Sequence, residues 1–445
     1  MPIVEESQEA EVVDTKRPMR AFTVMWTGQA ASLFGSGLVR FALVWWLTLT
    51  TGSATVLALA TIMALVPQIL LTPIAGTYVD RWNRRIVMMV ADSAIAASIG
   101  VLALIYLLGL AEVWHIYLIM FVGECFGAFH WPAMTAATTM LVPKKHLARV
   151  GGMNQTLNGV ISVFSPPAGA LLYIIMPMQG ILSIDILTAV IAVGALFFIR
   201  IPQPPKTGSE AKSSVWGDMM AGLRYLTNWK GALMLMVIAM LLNLFFAPAF
   251  GLMPILVSNH FGGSAPMLAL VESAVGIGTV IGGTILSIWG GTKRRVATAI
   301  AGIVLAGLAT LLTGLTPAGQ FFFALTMLFA VGFLLPIANG CIIAVFQTTI
   351  PPGMQGRVFA LISSGAGAMM PIGFAIAGPL ADIFGVQLWF IVAGVVTILV
   401  SSMCFFVPAI MRIEETAERM RTSEEGTIKS EFVEASESGL RHAEE

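Results

Sequence analysis

The sequence predicts an all-α membrane protein, in which twelve transmembrane helices form two six-helix, pseudo-symmetric halves. Hydrophobic residues make up 57% of the chain and charged residues 11%, whereas soluble domains are roughly 45–50% apolar and about 25% charged. About twelve apolar segments reach the roughly twenty residues that a helix needs to cross a hydrocarbon core. Short motifs of the first half also recur in the second, which indicates that the halves share one architecture.

The predicted spans divide the chain into two tails, two halves and a linker. The spans cover residues 22–48, 54–79, 86–109, 114–142, 151–176, 180–199, 230–258, 265–290, 296–316, 320–349, 358–381 and 386–410. The regions are a cytoplasmic N-terminal tail (1–20), a first half (21–200), a cytoplasmic linker (201–229), a second half (230–411) and an acidic cytoplasmic tail (412–445). Late in the linker, apolar residues fall on one helical face. This pattern predicts either an amphipathic helix at the inner membrane interface or a connector pressed against the bundle.

Lysine and arginine alternate between loops in a way that sets the orientation of the chain. They occur in both tails and in every second loop, whereas the remaining loops contain none, and Arg40 alone lies within a span away from the basic side. Because basic residues accumulate in short cytoplasmic loops, both termini are predicted to be cytoplasmic. We therefore expect a multi-pass protein of a cell membrane.

Two motifs recur in corresponding loops of the two halves. They are Val142-Pro143 with Arg149-Val150, repeated as Ile350-Pro351 with Arg357-Val358, and Arg84-Arg85, repeated as Arg294-Arg295. Repeated halves joined by a linker are typical of transporters whose substrate site lies at the repeat interface. The sequence contains no Walker loop, no catalytic Ser/His/Asp arrangement and no metal-ligand spacing. We therefore expect no enzyme activity, no metal, no cofactor, and no nucleotide or nucleic acid as a partner.

The stretch GTYVDRWNRRIV places one acid and three arginines in the predicted cytoplasmic turn between the second and third spans. Gly76, Asp80, Arg81, Arg84 and Arg85 occupy the positions of a Gly-x-x-x-Asp-Arg-x-x-Arg-Arg loop, and in this the turn resembles the major facilitator superfamily. The resemblance implies a conformational latch, in which Asp80 accepts hydrogen bonds from a helix N-terminus and Arg81 pairs with an acid. The alternative is that these charges only fix the orientation of the chain.

The resemblance extends to one branch of that superfamily. The segments GQAASLFGS, GAFHWPA, SIDILTAVIA, GRVFALISS and LADIFGVQLWF, which run from the first span to the last, are similar to the Mef-type macrolide efflux proteins, a drug:proton antiporter branch. The resemblance implies the major facilitator fold and a monomer in a bacterial inner membrane, among its lipids. It also implies export of small amphiphilic drugs, macrolide-like or lipophilic, by proton antiport and alternating access. Alternatives on the same fold are export of an endogenous metabolite such as a siderophore, movement of a lipid, or a non-transporting receptor.

Few charged residues lie inside the spans, where each needs a partner or water. Arg40 and Glu124 lie at similar depths in the first and fourth spans, which both line the central cavity in the facilitator fold. We expect them to face each other as a coupling device, opened by protonation or by a cationic substrate, with a static bridge as the alternative. Asp185 and Glu272, within about two turns of the outer ends of their spans, are candidate proton sites or else hydrated polar positions.

Asp92 and His130 are two further titratable candidates. Asp92 lies near the inner end of the third span, close along the chain to the loop arginines, and is expected to be a partner of the latch. The histidine in FHWPA could titrate near neutral pH and take part in proton coupling. Alternatively, His130 is a buried, hydrogen-bonded structural residue.

Prolines and aromatic residues complete the candidate set. Pro166 and Pro167 lie inside the fifth span and predict a kink, because interior proline removes a backbone hydrogen bond. Ser165-Pro166-Pro167 stands where antiporters of the superfamily carry Gly-Pro, so this part of the resemblance is loose. Five aromatic side chains are candidates to line an apolar substrate cavity: Trp26, Phe41, Trp131, Phe245 and Phe246.

Overall fold

The computed structural model describes residues 16–79, 81–203, 215–292 and 294–411, and nearly all of them are helical. The helices are α1 (Lys16–Thr51), α2 (Ala54–Val79), α3 (Arg84–Leu107), α4 (Val113–Leu141), α5 (Leu147–Ile175), α6 (Met178–Phe198), α7 (Val215–Asn228), α8 (Lys230–Gly251), α9 (Met253–Ile255), α10 (Ala265–Trp289), α11 (Arg295–Leu315), α12 (Phe321–Thr349), α13 (Pro352–Phe384), α14 (Val386–Cys404) and α15 (Pro408–Met411). These ranges contain no β-strand.

In the described part of the chain, 12 helices are long and apolar enough to cross a membrane. They are α1 to α6, α8 and α10 to α14, and they confirm the predicted all-α class with its number of spans. The seventh span differs from the prediction of one helix over 230–258. Here α8 ends at Gly251, and α9 and a π-helical turn continue the chain to His260. Pro254 lacks the backbone N–H that would continue the hydrogen-bond pattern of α8.

The described chain divides into two compact units. The first contains the residues up to Leu43 and those from Val66 into the linker, and the second contains Val44–Leu65 and the residues from the linker onward. The predicted boundaries of the tails, halves and linker stay a prediction. The segment Val44–Leu65, however, comes from the predicted first half and clusters with the second unit.

In the first unit, α3 packs against α4 and α6, and α1 lies close against α6. A Cβ atom added at Gly28 would lie 2.9 Å from the Cβ of Ala195, and one added at Gly35 would overlap the hydroxyl of Thr188. Small residues of this kind allow the backbones of membrane helices to approach closely. The approach brings polar side chains of α1 next to the other helices of the unit.

In the second unit, α12 packs against α10 and α11, while α14 packs against α11 and α8. Helix α13 packs against α8 and also meets the beginning of α2. A Cβ atom added at Gly378 of α13 would lie 2.8 Å from the Cβ of Ala58 and 2.9 Å from the Cα of Thr55. This close contact explains why Val44–Leu65 belongs to the second unit.

The amphipathic stretch of the linker forms α7, which packs against α13 and α8. Gly222 lies against Leu361 and Arg357 of α13, and Leu226 is fully buried in an apolar cluster with Val358. These contacts are those of a connector pressed against the bundle. The position of α7 at the inner membrane interface stays a prediction.

Candidate functional site

Three buried polar side chains from three helices meet inside the first unit. Gln29 of α1 donates a hydrogen bond from Nε2 to Oδ2 of Asp92 on α3 over 2.8 Å. Nε2 of His130 on α4 lies 3.1 Å from Oδ1 of Asp92. The three residues are only 1%, 6% and 8% exposed, and we call them the Asp92 cluster. Because a carboxylate within a membrane span needs partners, the cluster joins three helices through a group that can carry a proton.

The sequence predicts Asp92 as a partner of the loop arginines, but the structure places it elsewhere. Arg85 donates hydrogen bonds to the carbonyl oxygens of Leu196 and Phe197, over 2.7 and 2.6 Å, at the end of α6. Its guanidinium also lies 5.8 Å from the centre of the Phe197 ring. Asp92 lies roughly 10 Å further along α3 at 1.5 Å per residue, beyond the reach of this arginine. The structure thus places Asp92 in the cluster, and its part in the latch stays a prediction.

The loop between α2 and α3 is described except at Asp80, which lies outside the described residues. Arg81 is exposed, whereas Arg84 is buried and directs its guanidinium towards α4. Asn83, which the sequence pattern does not single out, caps α3 by accepting hydrogen bonds from backbone N–H groups of its first turn. The latch that includes Gly76, Asp80 and Arg81 stays a prediction.

Asp185 forms a second polar contact between α1 and α6. Its Oδ1 accepts a hydrogen bond from Oγ of Ser36 over 2.9 Å. The sequence left open a hydrated position near the membrane surface, but the residue is only 3% exposed. Gly35 explains the burial, because its missing side chain lets α1 close over α6 at this point. Asp185 stays a candidate proton site, now a buried one.

Arg40 and Glu124 both lie in the first unit. The Arg40 guanidinium acts electrostatically on the Glu124 carboxylate, and the arginine is exposed while the glutamate is half-buried. The structure thus brings Arg40 and Glu124 within electrostatic range, and their role in coupling stays a prediction.

The aromatic candidates of the first unit differ in what they contact. Trp26 donates a hydrogen bond from Nε1 to Oδ1 of Asn154 over 2.8 Å. Phe41 is buried and packs against Gly169 of α5. Trp131, in contrast, is 54% exposed. Phe41 is therefore a packing residue, whereas Trp26 and Trp131 keep surfaces that a substrate could contact.

The remaining candidates lie in the second unit. Phe245 stacks on Trp389 with ring centres 6.0 Å apart, and Nε1 of Trp389 donates to the Phe245 carbonyl over 3.1 Å. Phe246 contributes to the wall of a cavity of about 230 Å³ between α8, α11, α12 and α14. Glu272 is half-buried in α10, and its role in proton transfer stays a prediction.

The proline pair lies inside α5, which continues as one helix from Leu147 to Ile175. Pro166 is buried and Pro167 is exposed. The neighbouring Ser165 lies so close to α1 that a Cβ atom at Gly37 would be 2.6 Å from its Oγ. The pair thus stands where α1 and α5 approach closely, and the kink stays a prediction.

Asp382 is a candidate that the sequence pattern does not identify. Its carboxylate accepts hydrogen bonds from Oγ of Ser53 over 2.7 Å, from the backbone N–H of Ala54 over 2.6 Å and from that of Thr55 over 3.0 Å. Asp382 of α13 therefore caps the first turn of α2 within the second unit. The sequence signal that could have identified Asp382 is an acid at the end of a span whose next loop carries no basic residue.

The described ranges contain no group of three or more His, Cys, Asp and Glu residues that could hold a metal ion. Cys125, Cys341 and Cys404 form no disulfide with one another.

Comparison with known sequences relates nearly the whole chain to membrane exporters. The family model described as transmembrane secretion effector matches residues 16–438. Macrolide efflux protein A of Streptococcus pyogenes is 31% identical over 393 residues, which cover 88% of this chain and 97% of that protein. The multidrug efflux pump Tap of Mycolicibacterium fortuitum is 28% identical over 400 residues, which cover 85% of this chain and 94% of that pump.

Solved structures of other transporters share the fold. A bacterial homologue of the human lysosomal transporter Spinster, in an inward-facing and unoccupied conformation, matches with a TM-score of 0.69 and 13% identity, over 91% of this chain and 98% of that one. The human organic anion transporter TETRAN matches with a TM-score of 0.60 and 18% identity, over 86% of this chain and 99% of that one. At these identities the likeness shows the fold alone.

Proposed function

Because the chain belongs to the transmembrane secretion effector family of major facilitator transporters, we propose that it exports amphiphilic, macrolide-like or lipophilic drugs by proton antiport and alternating access. The protein is a multi-pass membrane transporter and not an enzyme. The macrolide and multidrug efflux functions in the names of its relatives support the substrate class. We further infer a monomer in a bacterial inner membrane with both termini in the cytoplasm.

The proposal of proton coupling is supported by the Asp92 cluster. A carboxylate and an imidazole lie 3.1 Å apart, buried in helices that are long and apolar enough to span the membrane. With one shared proton the pair carries no net charge, whereas loss of that proton leaves one negative charge in a medium of low dielectric. A cationic amphiphile nearby stabilises the deprotonated cluster, and proton uptake removes that attraction. Binding of proton and of substrate therefore oppose each other, as antiport requires.

A change of charge at Asp92 also alters helix contacts. The carboxylate accepts a hydrogen bond from Gln29 of α1 and lies against His130 of α4, so a proton that enters or leaves the cluster changes the charge and the hydrogen bonding between α3 and both of these helices. We infer that proton uptake and release change the packing of α1 and α4 against α3.

We further propose that Glu124 and Arg40 provide a contact for a charged substrate. Glu124 is half-buried and under the influence of the exposed Arg40 guanidinium. A cationic drug competes with Arg40 for this carboxylate, and the arginine attracts an anionic one. Asp185, held by Ser36, is a second carboxylate that could carry a proton.

The test is drug transport by the purified protein in proteoliposomes with an imposed pH gradient, with radiolabelled erythromycin as the probe. We expect accumulation against the drug gradient that collapses when a protonophore is added. Asp92→Asn should lose this uphill accumulation but retain exchange of drug down its own gradient. Glu112→Gln changes a carboxylate at the start of α4 that binds Trp114, and is expected to behave as the unchanged protein.

The same transport measurements distinguish coupling through Asp92, antiport itself and the class of substrate. Normal uphill transport by Asp92→Asn would exclude the cluster from coupling and leave export itself standing. Movement of erythromycin only down its gradient in the unchanged protein would exclude antiport. Transport of a siderophore or a lipid, with none of erythromycin, would favour the alternative substrates on this fold.

A further inference from the structure

The cavity of the second unit lies between four helices, two of which stand apart from each other. Helix α14 packs against α8 and α11, and α11 packs against α12. Helices α8 and α12 have no comparable contact within the described chain, although both line the cavity of about 230 Å³. The cavity is therefore a cleft, enclosed by packed helix pairs on three sides and flanked by α8 and α12 on the fourth.

One asparagine lies on each of the two helices that flank this gap. Asn243 of α8 and Asn339 of α12 both line the cavity. On α12 the lining residues Leu335, Asn339 and Ile342 recur at helical spacing, so one face of that helix points into the cleft. Asn339 is exposed and Asn243 is half-buried. Both amides can therefore be reached by a molecule in the cleft.

Apolar clusters place the two asparagines at the same level of the cleft. Towards one end, Phe246 of α8 and Leu335 of α12 pack against the same cluster. Towards the other end, Ile238 of α8 and Ile342 of α12 pack against a second cluster. Each asparagine lies between these two contacts on its own helix, so the amides form a polar level with apolar surfaces on both sides.

The two amides are the polar side-chain groups that a ligand in the cleft can reach. Thr397 and Ser401 of α14 also line it, but their hydroxyl oxygens are buried. Asn243 donates from Nδ2 to the Ala239 carbonyl over 2.9 Å, which leaves its Oδ1 and its second N–H available. An asparagine amide both donates and accepts. A ligand carboxamide does the same, so the two groups can bind each other through paired hydrogen bonds.

The rest of the wall defines the charge and size of the ligand. No charged side chain lines the cleft, and a charged ligand would lose its hydration there without a counter-charge. An apolar cavity of about 150 Å³ binds benzene. By the same proportion, the volume of about 230 Å³ suits a molecule of about nine non-hydrogen atoms, such as a ring with one carboxamide.

We propose that this cleft is a binding site for a small neutral carboxamide with an apolar body. The carboxamide binds Asn243 and Asn339, and the body contacts the apolar surfaces beside them. A bound ligand joins α8 to α12, which have little contact of their own. The cleft lies wholly within the second unit and shares no residue with the Asp92 cluster, so the site does not depend on the proposed proton coupling.

The test compares tritiated benzamide with tritiated isopropylbenzene, which has nearly the same shape but no hydrogen-bonding group, in equilibrium binding to the purified full-length protein in detergent. Asn243→Leu and Asn339→Leu each remove one amide and keep nearly the same volume. We expect each variant to raise the Kd for benzamide about five- to tenfold, the usual effect of losing one net hydrogen bond. The Kd for isopropylbenzene should not rise, because that ligand makes no hydrogen bond.

Two further variants separate the site from general partitioning into the protein or micelle. Gln347→Met removes an amide of α12 that is exposed and does not line the cleft, and both ligands should bind to it as to the unchanged protein. Ala239→Leu fills part of the cleft from α8, and binding of both should be lost. If Ala239→Leu does not fold, the asparagine variants decide, because they change accessible side chains. Unchanged binding of benzamide by either asparagine variant would overturn the proposal, as would equal weakening of both ligands.

Discussion

At the residue scale, Asp92 has two partners whose loss has different consequences. His130→Ala leaves a buried carboxylate without its ionisable partner, and breaking a buried pair in this way costs about 3–5 kcal/mol. Gln29→Ala removes one hydrogen-bond donor and costs about 1–3 kcal/mol. We therefore expect the histidine variant to be the less stable of the two. Reversible unfolding of the protein in mixed micelles measures the free energies.

A double-mutant cycle separates the pair from its surroundings. Asp92→Asn removes the charge, so adding it to His130→Ala should restore part of the lost stability, with a coupling of about 0.5–3 kcal/mol. The same change added to Thr313→Val, which removes a hydroxyl in the second unit, serves as the matched control and should be additive. Strict additivity of Asp92→Asn with His130→Ala would show that the two residues do not interact.

Single residues show what sequence reasoning could and could not identify. Asp92, His130 and Asp185 are visible in the sequence, because each interrupts an apolar span. Their partners are not, because Gln29 is 63 positions from Asp92 and Ser36 is 149 positions from Asp185. A polar residue in a span predicts that a partner exists, and only the packing of the helices selects it.

At the element scale, the contact between α1 and α6 depends on Gly35. Gly35→Ala places a methyl group onto the Thr188 hydroxyl, beside Asp185, and we expect it to lower the free energy of unfolding by about 1–3 kcal/mol. Gly194→Ala, on α6, adds the same group where no atom lies within 4 Å and should cause little change. Equal stability of the two variants, measured by unfolding in mixed micelles, would mean that α1 and α6 are not closely packed at this point.

The first turn of α2 depends on a carboxylate from another helix. Asp382→Ala removes the acceptor of three hydrogen bonds. We expect it to lower the stability of the first turn of α2 by about 1–2 kcal/mol, which is the usual value of a helix cap. We expect amide hydrogen exchange in the first turn of α2 to accelerate about tenfold. Glu112→Ala removes the cap of α4 and should accelerate exchange in α4 alone. Unchanged exchange in α2 of Asp382→Ala would show that the cap does not hold this turn.

The spanning helices can be predicted from the sequence, whereas the contacts between residues far apart in the chain cannot. Runs of apolar residues predict each spanning helix, because the length required is set by the membrane. Asn83 caps α3 from the adjacent position and could be read from the sequence by its residue type. Asp382 caps α2 from the other end of the chain, and no local pattern connects it with Ser53.

At the scale of the whole molecule, hydropathy predicts how many helices there are but not how they are grouped. The 12 spans appear as predicted, yet the segment Val44–Leu65 clusters with the second unit. The grouping depends on a close approach at Gly378, and the sequence contains many glycines of which few have this role. The cavity beside Thr397 is equally hidden, because a void results from the shapes of side chains on four helices.

The predicted orientation of the molecule is testable with a matched pair of glycines. Gly319, between α11 and α12, and Gly353, at the start of α13, are both exposed and have no atom within 4 Å of an added Cβ, so a cysteine fits at each. In a background where Cys125, Cys341 and Cys404 are alanine, a membrane-impermeant maleimide should label Gly319→Cys in intact cells. It should label Gly353→Cys only after permeabilisation, because basic loops remain cytoplasmic. The reverse pattern would invert the molecule and place the loop arginines outside the cell. Labelling of both in intact cells would mean that the two loops lie on one side, which an odd number of spans between them does not allow.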